Sequence, residues 1–183
     1  MWLMPLENLH LTVLEIAHSL TAPEIDALVH TVSPKVDEIV RFPRTHQAVL
    51  IKPLLSFDAA ALALSFVPAS ADLGEEARYS YHHLRRDVYA LAGTTGVEIK
   101  SRYVVPSAHL TVGRWVDQKV RDEGRVSELV KLVDDINGEL RGKYWGGAAG
   151  RGAILRWKVG EDKGLVCRRG TVWYGGGHSL VEG

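Results

Sequence analysis

The chain has 183 residues, 46% of them hydrophobic and 24% charged, which is enough to bury a sizeable core as one domain or two tightly joined lobes. Lys plus Arg and Asp plus Glu both total 22, so no global field draws the protein to long nucleic acid or an anionic membrane, although a small or short-stranded phosphate ligand stays open. The single cysteine, Cys167, excludes an internal disulfide framework, no apolar run approaches the roughly 18 residues of a membrane span, and Met1-Trp2-Leu3-Met4-Pro5 lacks the features of a secretion signal. A cytoplasmic or nuclear location is expected, with no membrane association and no obligate protein partner.

In chain order, Leu9 to Ile16 is apolar and β-branched and reads as a strand. Thr21-Ala22-Pro23-Glu24 has the form of a capping box with proline in the first turn, and Ile25, Leu28, Val29 and Val32 follow it at helical spacing. Ser33-Pro34 interrupts that helix, which restarts toward Ile39-Val40. Gln47 to Leu55 and Ala61 to Val67 read as strands joined near Ser56-Phe57-Asp58, with Pro53 marking an edge or a bulge. Ala77, Tyr81, Leu84, Val88 and Leu91 recur at three and four residues, which predicts a helix over Asp72 to Ala92 with Gly93 as its stop.

Tyr103 to Pro106 then leads to a second strand beginning at Ala108. Val126, Leu129, Val130, Val133, Ile136 and Leu140 predict a helix ending near Gly146 to Gly150. Ala153 to Val159 and Gly164 to Tyr174 read as a terminal hairpin around Gly160 to Lys163. Both halves thus run strand, helix, strand, strand, with approximate lobes 1–96 and 97–183, strand exchange between them, and no linker that would separate independent domains.

The feature that carries chemistry is a four-residue string that occurs twice: His10-Leu11-Thr12-Val13 and His109-Leu110-Thr111-Val112. In a strand, His and Thr at i and i+2 point one way while Leu and Val point the other. If the two strands lie side by side, they bring two imidazoles and two hydroxyls to one groove. Phosphodiester cleavage needs such a set, because a base must activate the nucleophile and an acid must protonate the departing oxygen. Histidine, with an ordinary pKa of about 6.5, fills either role near neutral pH. The threonine hydroxyls can donate to the non-bridging phosphate oxygens.

On these residues the chain resembles the 2H phosphoesterase superfamily, which includes the LigT-like RNA ligase and 2′,3′-cyclic phosphodiesterase proteins. The resemblance implies an α+β, bilobal, duplicated fold in which two antiparallel sheets flank a central groove with helices outside. It implies catalysis by His10 and His109 with Thr12 and Thr111 binding substrate, and no metal or other cofactor. The implied substrate is a nucleotide or RNA end carrying a 2′,3′-cyclic phosphate. Only nine residues precede His10, where the family pattern leads one to expect a strand and a helix. RNA ligation, cleavage of a linear phosphodiester, and a nucleotide- or RNA-binding module with an inactive groove are the alternatives within reach of the same motif.

Other candidates stand further from the chemistry. Arg114 would share the face of Val112 in a regular strand and reaches the groove only through a bulge or the strand end. Lys100 and Tyr103 precede the second motif and could line a pocket or a solvated loop. In Trp173-Tyr174-Gly175-Gly176-Gly177-His178, Tyr174 could stack on a base and His178 could be a third site histidine. His82 and His83 read as surface residues, and Cys167 as a structural thiol without an activating partner. Gly146 to Gly152 follows a helix and lacks Gly-Lys-Ser/Thr, so it is not a nucleotide loop. Arg151, Arg156, Lys158, Arg168 and Arg169 read as a solvated sheet face.

Overall fold

Local sequence signals set most of the helix boundaries. Helix α1 (Ala22–Val32) begins at the expected capping box: the backbone N–H and hydroxyl of Thr21 donate to the Glu24 carboxylate at 2.8 and 2.6 Å. Those two bonds, the hydroxyl foremost, hold the Glu24 carboxyl below its ordinary range. A single 3₁₀ turn at Ser33–Lys35 absorbs Pro34, and α2 (Val36–Thr45) follows. Strands β2 (Ala48–Phe57) and β3 (Ala61–Pro68) form a hairpin whose turn is closed by Asp58, which accepts from the N–H groups of Ala60 and Ala61 at 2.7 and 2.8 Å. Helix α3 (Tyr81–Gly93), strand β4 (Ala108–Arg114), helix α4 (Glu123–Tyr144) and strands β5 (Trp157–Val159), β6 (Val166–Arg169) and β7 (His178–Glu182) complete the list, with a short β1 (Trp2–Leu3) at the start. The computed structural model describes residues 1–70, 74, 78–100, 108–116, 123–146 and 154–183. Tyr103, Arg151 and most of the glycine-rich segment from Gly146 lie outside the described residues.

The protein is a mixed α+β structure. One sheet has five strands in the order β1-β4-β3-β2-β5, and β6 and β7 form a second, two-stranded antiparallel sheet. Among the described residues, no helix is long and apolar enough to cross a membrane. The chain divides into two interleaved units: residues 1–11, 51–67 and 107–157 form one, and residues 12–50, 68–106 and 158–183 form the other.

In the first unit, α4 is fastened to β2 through backbone groups. Asn137, buried to 6% exposure, accepts from the N–H of Leu55 at 2.7 Å and donates to its carbonyl at 2.9 Å. The Trp145 indole N–H donates to the carbonyl of Pro53 at 3.0 Å, and the cationic ends of Lys52 and Arg141 lie 5.7 and 5.6 Å from its ring centroid. Pro53 does not mark an edge, because β2 lies inside the sheet order; the residue before it, Lys52, has the left-handed φ of 54.

In the second unit, Ile39, Val40 and Pro43 of α2 and Tyr81, Leu84, Val88 and Ala92 of α3 are buried, together with Ala48, Val49 and Leu50 at the start of β2. Each fully buried leucine-sized side chain contributes about 1.5–3 kcal/mol, so this cluster dominates the unit's stability.

Three expectations need correction. The helix predicted from Asp72 begins at Tyr81, because Ser80 and His83 cap each other: His83 N–H donates to Ser80 Oγ, and Ser80 N–H donates to His83 Nδ1 at 3.1 Å. His83, read as a surface residue, is therefore a capping residue. The predicted tail hairpin does not form. Strand β5 joins the five-stranded sheet and β6 pairs with β7, because the intervening chain turns away at Gly160 (φ 91) and is bonded instead through Leu165 N–H to Val40 and through Gly164 N–H to Gly183. Trp173 and Tyr174 lie in a 3₁₀ turn (Val172–Tyr174) and not in a strand.

Asn137→Ala would leave the Leu55 N–H and carbonyl without their partner in a buried position. The expected cost is about 2 kcal/mol, read as a lower urea midpoint at unchanged m-value; an unchanged midpoint would show that the clamp is replaceable.

Candidate active site

The second motif is a regular strand until one residue disturbs it. Pairs along β3 and β4 run Phe66 with Ala108, Ser65 with His109, Leu64 with Leu110 and Ala63 with Thr111; the next pairs are Leu62 with Gly113 and Ala61 with Arg114. Val112 is thus an extra residue on β4, a β-bulge. Paired residues share a face, so Phe66, Ala108, Leu64 and Leu110 point together, and the buried Phe66 and Ala108 mark that side as core. His109, Thr111, Ser65, Ala63 and Ala61 point to the other side. Because of the bulge, Arg114 pairs with Ala61 and points there too. The guanidinium therefore joins the face of His109 and Thr111, the condition under which sequence alone admitted it to the site.

The first motif lies along the opposite edge of the same strand. Trp2 pairs with Arg114 and Leu3 with Gly113, and Met4 N–H donates to the Val112 carbonyl at 3.0 Å, which satisfies the carbonyl of the bulged residue. The close approach of β1 suits glycine at 113, where a Cβ would come within 3.1 Å of the Trp2 carbonyl. The chain then leaves the edge in the 3₁₀ turn Leu6–Asn8 and returns to form one antiparallel bridge, Leu11 with Leu110. The expected strand from Leu9 to Ile16 is therefore reduced to a single bridged residue. That bridge is enough to set the register. Leu11 shares the core-side face of Leu110, and counting back along an extended chain assigns His10 to the opposite face, on the side of Thr111.

His10 is half-buried, and its Nδ1 lies 2.8 Å from the carbonyl oxygen of Asn8. A carbonyl only accepts, so Nδ1 carries the proton of this bond and Nε2 is the nitrogen that can exchange one. His109, Thr111 and Arg114 are likewise half-buried, accessible enough to meet a ligand and supported enough to hold an orientation.

Thr12 is the first residue of the second unit. Its carbonyl accepts from the Tyr81 hydroxyl at 3.0 Å, and its neighbour Val13 is buried. Tyr174 and His178 also belong to the second unit, both exposed, Tyr174 in the 3₁₀ turn and His178 on β7 opposite Arg169. Lys100 is exposed, its backbone N–H bonded to the Ile16 carbonyl at 2.9 Å. Of the described tail cations Arg156 is exposed, as a solvated face requires, whereas Lys158, Arg168 and Arg169 are half-buried, and Arg169 is ion-paired with Asp26. Burial pushes the Cys167 thiol up, which keeps it protonated near neutral pH and fits a structural role. Among the described residues, no three His, Cys, Asp or Glu side chains gather in a way that could hold a metal ion.

Three members of this face escaped the sequence reading. Ser65 stands directly across from His109, and its hydroxyl is 2.9 Å from that of Ser56. Trp2 is the cross-strand neighbour of Arg114. Asn8 supplies the carbonyl that orients His10. Only Ser65 left a trace, the alternation of small residues Ala61, Ala63 and Ser65 along one face of β3. Trp2 and Asn8 depend on the loop-out at residues 6–8, for which short-range patterning has no signal.

Comparison with known proteins gives no match: no family model, no curated protein and no solved structure is found to be similar to this chain.

The Asn8 contact predicts that neutral His10 exists as the Nδ1–H tautomer, visible in long-range ¹H–¹⁵N correlation spectra above the histidine's titration range. The opposite tautomer would contradict the arrangement.

Proposed function

We propose that this protein is a metal-independent phosphodiesterase that opens 2′,3′-cyclic phosphates of nucleotides or RNA ends, using His10 and His109 as an acid–base pair on a duplicated fold of the 2H type. The single observation that supports the reading is the Leu11–Leu110 bridge, which pairs the same position of the two motif copies, next to the face that carries His109 and Thr111. Arg114, turned to that face by the bulge, supports it, because a planar guanidinium suits the non-bridging oxygens of a phosphate. Thr12 enters as the second hydroxyl on the strength of the repeated sequence pattern.

In this mechanism one imidazole takes a proton from water as its oxygen attacks phosphorus in line. The phosphorus bond to one ribose oxygen breaks, and that oxygen takes a proton from the other imidazole. The product is a ribose phosphomonoester beside a free hydroxyl, and the two histidines have exchanged protonation states, which solvent then resets. The bond from His10 Nδ1 to Asn8 makes Nε2 the working nitrogen in either role. Thr111 and Arg114 hold charge that develops on the phosphate, the kind of preorganised contact that gains most in the transition state.

Three outcomes test the proposal. The protein turns over 2′,3′-cyclic nucleotides or short cyclic-phosphate RNAs in EDTA, and His10→Ala or His109→Ala lowers kcat by roughly 10²–10⁴-fold. The rate follows a bell-shaped pH profile, with one limb lost in either histidine variant. Arg114→Ala lowers kcat more than it raises KM, and Arg114→Lys restores little because an ammonium cannot reproduce the two-pronged contact. Tight nucleotide binding with no turnover on any phosphodiester would replace the enzyme with a binding module, and loss of turnover in EDTA would rule out the metal-independent route.

A further inference from the structure

The segment after the first motif has almost no regular structure of its own. From Thr12 to Thr21 the described backbone is neither helix nor strand, so its position depends on individual bonds from its surroundings. Bonds that reach it from more distant parts of the second unit include the Tyr81 hydroxyl to the Thr12 carbonyl at 3.0 Å, the Trp173 indole N–H to the Glu15 carboxylate at 3.1 Å, and the Lys100 N–H to the Ile16 carbonyl at 2.9 Å. They differ in quality. Trp173 is 53% exposed, whereas Tyr81 is fully buried, at the first position of a helix whose N-terminus is itself capped by Ser80 and His83. A buried phenol on a capped helix has little freedom to follow its partner. The partner therefore follows it.

We infer that Tyr81 is a positioning residue for the first motif: its hydroxyl holds the Thr12 carbonyl and thereby sets where the Thr12 side chain stands. The inference rests on the phosphodiesterase reading above, in which the Thr12 hydroxyl meets the phosphate. The physical need is specific to this copy. Thr111 is held by ladder pairing to Ala63 in the middle of a sheet, while Thr12 lies one residue beyond a single bridge. Without an external tether its backbone would sample several conformations, each moving the hydroxyl by more than a hydrogen bond tolerates. Val13, buried at 6% exposure beside it, fixes the depth of the segment but not the rotation of the preceding peptide.

The test is Tyr81→Phe, which removes the hydroxyl and keeps the ring in its buried place. Expected is a fall in kcat of roughly 3–10-fold, the worth of one such bond, with KM little changed. The pH limbs should stay in place, because neither histidine is touched. Thr12→Ala should lower kcat as well, and the double variant should be no slower than Thr12→Ala alone, since a hydroxyl that is absent cannot be misplaced. Val88→Ala, buried on the same helix away from Thr12, serves as the stability control and should lower the melting temperature without lowering kcat at assay temperature. Additive effects of Tyr81→Phe and Thr12→Ala, or an equal loss of kcat in Val88→Ala, would overturn the inference and leave Tyr81 a core residue. If the wild-type protein fails on every cyclic phosphate, it is the phosphodiesterase reading that falls. The Tyr81 bond can then be judged by whether Tyr81→Phe perturbs the backbone resonances of Thr12 and Val13, and unperturbed resonances would overturn it independently.

Discussion

The pairing of Leu11 with Leu110 is the constraint on which the site depends. It is one bridge, but strand geometry makes its consequences discrete: a shift of one residue in either partner would send His10 to the core-side face and bring a leucine out. The register is held from the core side, where Leu110 and Leu64 continue the row that includes buried Phe66. A polar motif is thus positioned by its apolar members. Leucine at the second position of each copy is as necessary to the arrangement as histidine at the first, although it would touch no substrate.

The two copies nevertheless meet that constraint by different means. The second is an interior strand, paired on one side to β3 and on the other to β1 and Leu11. The first departs from the edge, makes a 3₁₀ turn, touches β4 once and leaves again, so its polar groups must find partners one at a time. Asn8 orients the imidazole from within the turn, and the Tyr81 hydroxyl donates to the Thr12 carbonyl one residue after the bridge. Identical tetrapeptides therefore do not imply identical rigidity. The first copy is the one whose geometry can be disturbed by substitutions outside the motif.

What the sequence made legible follows from how local each signal is. The capping box at Thr21, the hairpin around Asp58 and the helical stripes of α3 and α4 are encoded within a few residues, and each was recovered, though the start of α3 was misplaced by the unrecognised Ser80–His83 cap. The sharing of one face by His109 and Thr111 was also legible, because period-two alternation needs no knowledge of partners. Long-range pairing was not. Nothing in residues 153–174 states that β5 goes to the five-stranded sheet while β6 waits for β7, and nothing before His10 states that Trp2 will lie against Arg114. Such choices are made by competition among edges that only the folded chain presents.

The bulge at Val112 shows how one residue can decide the composition of a site. Paired residues always share a face, so Trp2 accompanies Arg114, and Ala63 accompanies Thr111, whatever the alternation along β4. Whether these two pairs share a face with each other is a separate matter, settled by the spacing between Thr111 and Arg114. Three steps along a regular strand would leave them on opposite sides. The extra residue changes the parity, so the guanidinium and the indole come to the histidine face. Its own carbonyl is satisfied by Met4. The cost of an interrupted ladder is met locally, and the return is a cationic group and an aromatic surface beside the paired motifs. A single extra residue on β4 thus changes which side chains share a face without altering any of the pairs themselves.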